Sequence, residues 1–148
     1  MKKIHILSLS LIALIFIFAF IYNLEKEKTL TEKCMKNNDV KTCEILCKEK
    51  NKSESCNNLG EMYYYGEGVE QDYVKAVGFF KKACDAGSAK GCYNLGEMYY
   101  YGEGVKQDYV KATGLFKKAC DAGSTEGCNN LGEMYYYGEG VEQDYVKA

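Results

Sequence analysis

The sequence predicts an all-α fold, a solenoid of stacked helix pairs. Three observations predict it. The chain repeats itself with a period of 36 residues, and a fixed period in the thirties is the mark of stacked helical units. Each repeat holds two runs of apolar residues at helical spacing, divided by glycine-rich turns. No proline occurs among the 148 residues, so nothing interrupts the helices. Residues 56–91 and 92–127 differ at 6 of 36 positions, and residues 128–148 repeat 56–76 without a change.

The elements follow in order within one unit. Leu59, Met62 and Tyr63 stand at i, i+3 and i+4, one face of a first helix, helix A. Gly60 lies beside that stripe and leaves room for a neighbouring helix. Gly66-Glu67-Gly68 ends the helix, because glycine takes the left-handed conformation at a helix C-terminus. That triplet follows a helix and not a strand, which excludes a phosphate-binding loop. Asp72 is an N-cap for helix B. Tyr73, Ala76, Val77, Phe80, Ala83 and Cys84 keep helical spacing through it. Gly87 stops helix B, and Ser88 caps the next helix A. The predicted organisation is a leader over 1–24, N-terminal capping helices over 25–55, repeats over 56–91 and 92–127, and a truncated third repeat over 128–148.

These residues resemble a known family. Leu59-Gly60-x-Met62-Tyr63-x-x-Gly66-x-Gly68-Val69, then Asp72, Lys75-Ala76 and Lys82-Ala83, is similar to the Sel1-like repeat, and the pattern recurs from Leu95 and Leu131. Cys84 and Cys92 around a glycine turn resemble its exported cysteine-rich branch, the Hcp proteins. The resemblance covers about residues 39–148 and implies a right-handed superhelix of antiparallel helix pairs. For activity it implies two things. The Hcp branch implies penicillin binding and weak β-lactam hydrolysis. Sel1-like repeats in general imply a protein-interaction scaffold.

The leader reads Met1-Lys2-Lys3, then an uncharged run from Ile4 to Tyr22, with Glu25 as the first acid. A basic start before such a run keeps the N-terminus inside and sends the rest outward. It is read as a signal peptide or as an uncleaved inner-membrane anchor over residues 4–22, and both export residues 25–148. The destination is the periplasm or the exterior. Cys34 follows Thr31-Glu32-Lys33 and is no lipobox. The net charge is −2, and losing Lys2 and Lys3 with the leader makes it −4. All 19 basic residues are lysine. A chain with no bidentate guanidinium and this balance is no nucleic-acid binder. The one histidine, His5, lies in the leader, so the exported part has no Ser-His-Asp triad, no Cys-His nucleophile and no histidine zinc site.

Eight cysteines fall into sequential pairs: Cys34–Cys43, Cys47–Cys56, Cys84–Cys92 and Cys120–Cys128. The last two pairs have identical spacing and each joins the end of one helix B to the start of the next helix A. Closing so short a loop contributes about 2.5 kcal/mol on the chain-entropy account. Cys43 and Cys47, at i and i+4, could hold a metal, but zinc sites want C-x-x-C pairs or histidines. The reading is four disulfides, no metal and no cofactor, in an oxidising compartment. Asp39 to Cys47 reads as a short helix B with Ile45 and Leu46 inward. Glu49-Lys50-Asn51-Lys52-Ser53 matches an acidic bacterial N-glycosylation sequon.

No catalytic residue is assigned. Ser53, Ser55, Ser88 and Ser124 lack the lysine at i+3 of an S-x-x-K site, and no K-T-G motif is present. What remains is a surface. Opposite the core stripe of helix A fall Asn57, Glu61 and Tyr64, with Tyr65 beside them. The next repeats give Tyr93, Glu97 and Tyr100, then Asn129, Glu133 and Tyr136. Stacked on a concave side, these form a tyrosine ladder beside a carboxylate ladder. Such a groove suits a protein, a peptide or a cell-wall fragment; β-lactams enter only through the resemblance. The chain stops at Ala148, four residues into the third helix B. The expectation is a fragment or a gene with further repeats, frayed from about residue 129.

Overall fold

A computed structural model describes residues 2–37 and 39–148, with side chains from Leu11 onward. Met1 and the side chains of residues 2–10, which include the basic start of the leader, lie outside the described residues. Among the described residues seven helices follow one another: α1 (Lys2–Asn37), α2 (Val40–Lys48), α3 (Ser53–Tyr65), α4 (Tyr73–Asp85), α5 (Ala89–Tyr101), α6 (Tyr109–Asp121) and α7 (Thr125–Tyr137). No strand occurs among the described residues. The leader runs without a break into the first capping helix. Among the described residues no helix is long and apolar enough to cross a membrane, and the anchor expected over residues 4–22 lies partly outside them.

Local chemistry sets the helix ends. Asp39, Asp72 and Asp108 accept at Oδ1 from the backbone N–H three residues on, at 2.9, 3.0 and 3.0 Å. Ser88 and Ser124 do the same with Oγ, each at 3.0 Å. Each such cap stabilises its helix by about 1 kcal/mol. Helices α3, α5 and α7 each end on a left-handed glycine, Gly66, Gly102 and Gly138.

The stack has two layers. The odd helices touch their odd neighbours as well as the even helices beside them, whereas the even helices make no comparable contacts with one another. The solenoid therefore closes on the odd, helix A side. Between the layers lie several small core clusters. Leu59 and Met62 of α3 pack with Cys34, Cys43 and Leu46, and Ala76 and Phe80 of α4 pack with Leu95 and Met98 of α5. Gly60 admits the Phe80 ring: a Cβ there would lie 2.6 Å from it, and one on Gly96 would lie 2.7 Å from the Phe116 ring. Gly104 and Gly140, second glycines of their G-E-G turns, have a different reason. Gly104, at φ 67°, sits against the backbone of Tyr73 in the repeat before, and a Cβ would lie 2.5 Å from its carbonyl.

All four sequential disulfides form, and among the described residues no cysteine is free. Cys43 and Cys47 are committed to different bridges, so their i, i+4 spacing holds no metal. One expectation fails in the capping helices. Leu46 is buried as expected, but Ile45 is 41% exposed, because only the Leu46 side of this short helix meets α1 and α3. Asn51 of the sequon lies exposed in the turn between α2 and α3 at φ 50°.

Candidate functional site

Helices α3, α5 and α7 lie side by side, so residues 36 apart recur along one face. The structure sorts the nine groove residues differently from the sequence. Asn57, expected outward, is only 5% exposed. Helix stacking explains it: Asn94 of α5 donates from Nδ2 to Asn57 Oδ1 at 2.9 Å and reaches Glu61 Oε1 at 3.4 Å. Tyr93, at the matching position in α5, is half-buried and donates to Glu97 Oε1 of its own helix at 2.8 Å. Asn129, Glu133 and Tyr136 of α7 are exposed.

Tyr64 and Tyr100 are likewise half-buried and engaged. Tyr64 donates to Glu103 Oε2 at 2.9 Å, and Tyr100 to Glu139 Oε2 at 2.9 Å. Each bond joins the end of one helix A to the G-E-G turn of the following repeat. These tyrosines stitch repeats together. Burial and then the Glu103 bond push the Tyr64 hydroxyl up to about 12; the Glu139 bond and then burial push Tyr100 up to about 12. Burial and Glu97 raise Tyr93 above the ordinary tyrosine range.

The free aromatic ladder is one position along. Tyr65, Tyr101 and Tyr137 are 66%, 63% and 66% exposed. Each stands edge-on to the tyrosine just before it in the chain, with ring centroids 4.9 Å apart. Between α3 and α5 this face opens into a cleft of about 90 Å³. Glu61, Tyr64 and Tyr65 form one wall and Asn94, Glu97 and Tyr101 the other, with Phe80 and Met98 between them. Lys90 Nζ lies 2.7 Å from Glu61 Oε1. Burial raises the Glu97 carboxyl above the ordinary range, opposed by the Tyr93 bond.

Sequence reasoning missed two sets of residues. Asn58 and Asn94 each link their helix A to the one before: Asn58 donates to the Cys34 carbonyl at 2.8 Å, and Asn94 to Asn57 Oδ1 at 2.9 Å. Glu103 and Glu139 read as turn residues, yet they receive the tyrosine bonds. The signal available was their recurrence in every repeat, which spacing within one helix cannot interpret. Of the serines weighed as nucleophiles, the Ser88 and Ser124 hydroxyls cap helices and Ser55 is buried.

Known proteins share this architecture. No curated protein matches the chain. Among solved structures, a protective antigen of uropathogenic Escherichia coli strains, displaying an SLR fold, is 39% identical at a TM-score of 0.65, over 67% of this chain and 21% of that one. A Sel1 repeat protein of Oxalobacter formigenes is 25% identical at a TM-score of 0.71, over 79% of this chain and 49% of the other. Cysteine rich protein B of Helicobacter pylori is 34% identical at a TM-score of 0.61, over 65% of this chain and 71% of that one. The chain thus spans about a fifth of the first and half of the second. The Sel1 repeat pattern matches residues 53–88, 89–124 and 125–148, and the chain belongs to the Sel1 repeat family.

Proposed function

We propose that the chain is an exported, non-catalytic interaction scaffold that docks a peptide or protein segment along the face of α3, α5 and α7. The observation that carries this reading is the ladder of exposed tyrosines, Tyr65, Tyr101 and Tyr137, beside the α3–α5 cleft. Tyrosine offers large contact area with little rotamer entropy to lose, and three in register suit an extended segment. Four disulfides fit the periplasm or the exterior. Family membership supports a protein partner. Nothing at the serines supports β-lactam hydrolysis.

Panning a displayed random-peptide library against the oxidised full chain and against a Tyr65→Ala/Tyr101→Ala/Tyr137→Ala variant tests the reading. Peptides enriched on the parent should bind the variant about tenfold more weakly or worse, with helicity unchanged. Equal binding, or no enrichment, would refute the docking face. Chromogenic cephalosporin hydrolysis by the pure protein should stay at background, and turnover above it would refute the non-catalytic reading.

A further inference from the structure

We infer that the cleft between α3 and α5 takes the cationic end of a lysine or arginine side chain from an extended partner segment. This rests on the docking face proposed above and names what that face recognises.

Charge is segregated between the two layers. The three repeat A helices carry Glu54, Glu61, Glu97, Glu126 and Glu133 against one cation, Lys90. The two B helices carry Lys75, Lys81, Lys82, Lys111, Lys117 and Lys118 against Asp85 and Asp121. The exposed tyrosine ladder lies on the acidic layer. A partner that covers those rings therefore meets a negative field, and its own charge must be positive to avoid repulsion.

The cleft itself is built for such a group. It combines two carboxylates, Glu61 and Glu97, with the rings of Tyr65 and Tyr101 and the Met98 side chain. Carboxylates and aromatic faces both attract ammonium and guanidinium groups, while the apolar lining accommodates an alkyl stem. The molecule already shows the pairing at this spot, because the Lys90 ammonium sits on Glu61. Elsewhere its lysines choose tyrosine faces: Lys75 lies over Tyr63 at 5.0 Å and Lys111 over Tyr99 at 5.1 Å. Among the described residues Glu97 receives only the Tyr93 hydroxyl at 2.8 Å and has no ion pair with a lysine.

The test uses the oxidised full chain and a blocked nine-residue alanine–lysine peptide. Its counterpart carries acetyl-lysine at the same positions. Titration is followed by calorimetry and by backbone amide shifts. The lysine peptide should bind, with shifts centred on Glu61, Glu97 and Tyr101. The acetylated peptide should bind about tenfold more weakly or worse. Glu97→Gln should weaken the lysine peptide by a similar factor. Tyr101→Ala should weaken it, and Tyr101→Phe should restore it, since the ring face and not the hydroxyl is used. Equal affinity of the two peptides, an unaffected Glu97→Gln variant, or shifts confined to the B helices would overturn the inference. Self-association in low salt that Glu97→Gln abolishes would overturn it too, by making a second copy's lysine-rich layer the occupant. Library peptides that bind this face with no preference for lysine would refute the cation subsite and leave the docking face standing.

Discussion

Residues 56–76 and 128–148 are the same 21 residues, and they stand in two different surroundings. In both copies helix A runs 13 residues and ends on a left-handed glycine, at φ 75° for Gly66 and 71° for Gly138. Met62 and Met134 are both 1% exposed, because each faces the helix that precedes it. The other side differs. Cys56, Asn57 and Leu59 are buried, while Cys128 and Asn129 are exposed and Leu131 is half-covered. Gly60 meets the Phe80 ring, whereas a Cβ on Gly132 would meet only the backbone of Ala148, at 3.4 Å. Asp72 opens a 13-residue helix, but after Asp144 there is only a turn, although Asp144 Oδ1 still accepts from Val146 and Lys147. Helix boundaries and caps are local and copy faithfully. Burial belongs to the neighbour.

Phe80 fills the space beside Gly60, so removing it should have the largest effect. Phe80→Ala opens a cavity between α3, α4 and α5 and should cost about 3–5 kcal/mol in urea denaturation. A loss below about 1 kcal/mol would mean that the repeat interface does not depend on this ring.

Next in size is a pair of identical substitutions. Gly60→Ala should destabilise by about 1–3 kcal/mol, because the Cβ would lie 2.6 Å from a buried ring that cannot swing away. In the 148-residue chain Gly132→Ala should stabilise by about 0.5–1 kcal/mol, since its Cβ would meet only ordinary contacts with Ala148 and alanine is the better helix former. The same sign for both would refute the account of the two copies.

The caps make a subtler contrast. Asp72→Ala removes the N-cap of α4 and should cost about 1 kcal/mol. In the 148-residue chain Asp144→Ala removes hydrogen bonds to Val146 and Lys147 in a turn, and its effect on thermal unfolding should be near zero. An equal loss would show that the last turn is helical in solution.

The same contrast explains what was legible in the sequence. Helix A and helix B, their caps and the sequential cysteine pairs are encoded within about ten residues, and spacing reveals them. Leu46, Leu59, Met62, Ala76 and Phe80 are core positions that helical periodicity marks correctly. Ile45, Asn57, Tyr64 and Tyr100 are where it fails. A helical wheel shows which residues share a face, but not that an odd helix has odd neighbours on two sides as well as a partner beneath. Asn57 is outward on the wheel and inward in the stack, because Asn94 crosses to it. Tyr65 was placed beside the ladder and proves to be its exposed rung.

The smallest expected effect lies in the stitches between repeats. Tyr64 and Tyr100 each donate to a glutamate of the next G-E-G turn, while Tyr136 in the last copy stands 51% exposed. The folded chain raises both stitching hydroxyls from 10.0 to about 12, so it favours their neutral forms over what the unfolded chain does. A group whose pKa is raised on folding contributes fully below its unfolded value and loses that contribution as pH climbs through the folded one. Stability should therefore decline between about pH 10 and pH 12 as the tyrosinates form beside Glu103 and Glu139. Both side chains are partly exposed, so solvent screens the effect and the decline should be shallow. Tyr64→Phe/Tyr100→Phe should flatten that limb in urea denaturation at stepped pH, while costing little at pH 7, where the lost bonds leave carboxylates that water can reach. An unchanged slope in the double variant would show that the alkaline limb belongs to other groups and that the stitches do not tie the repeats together.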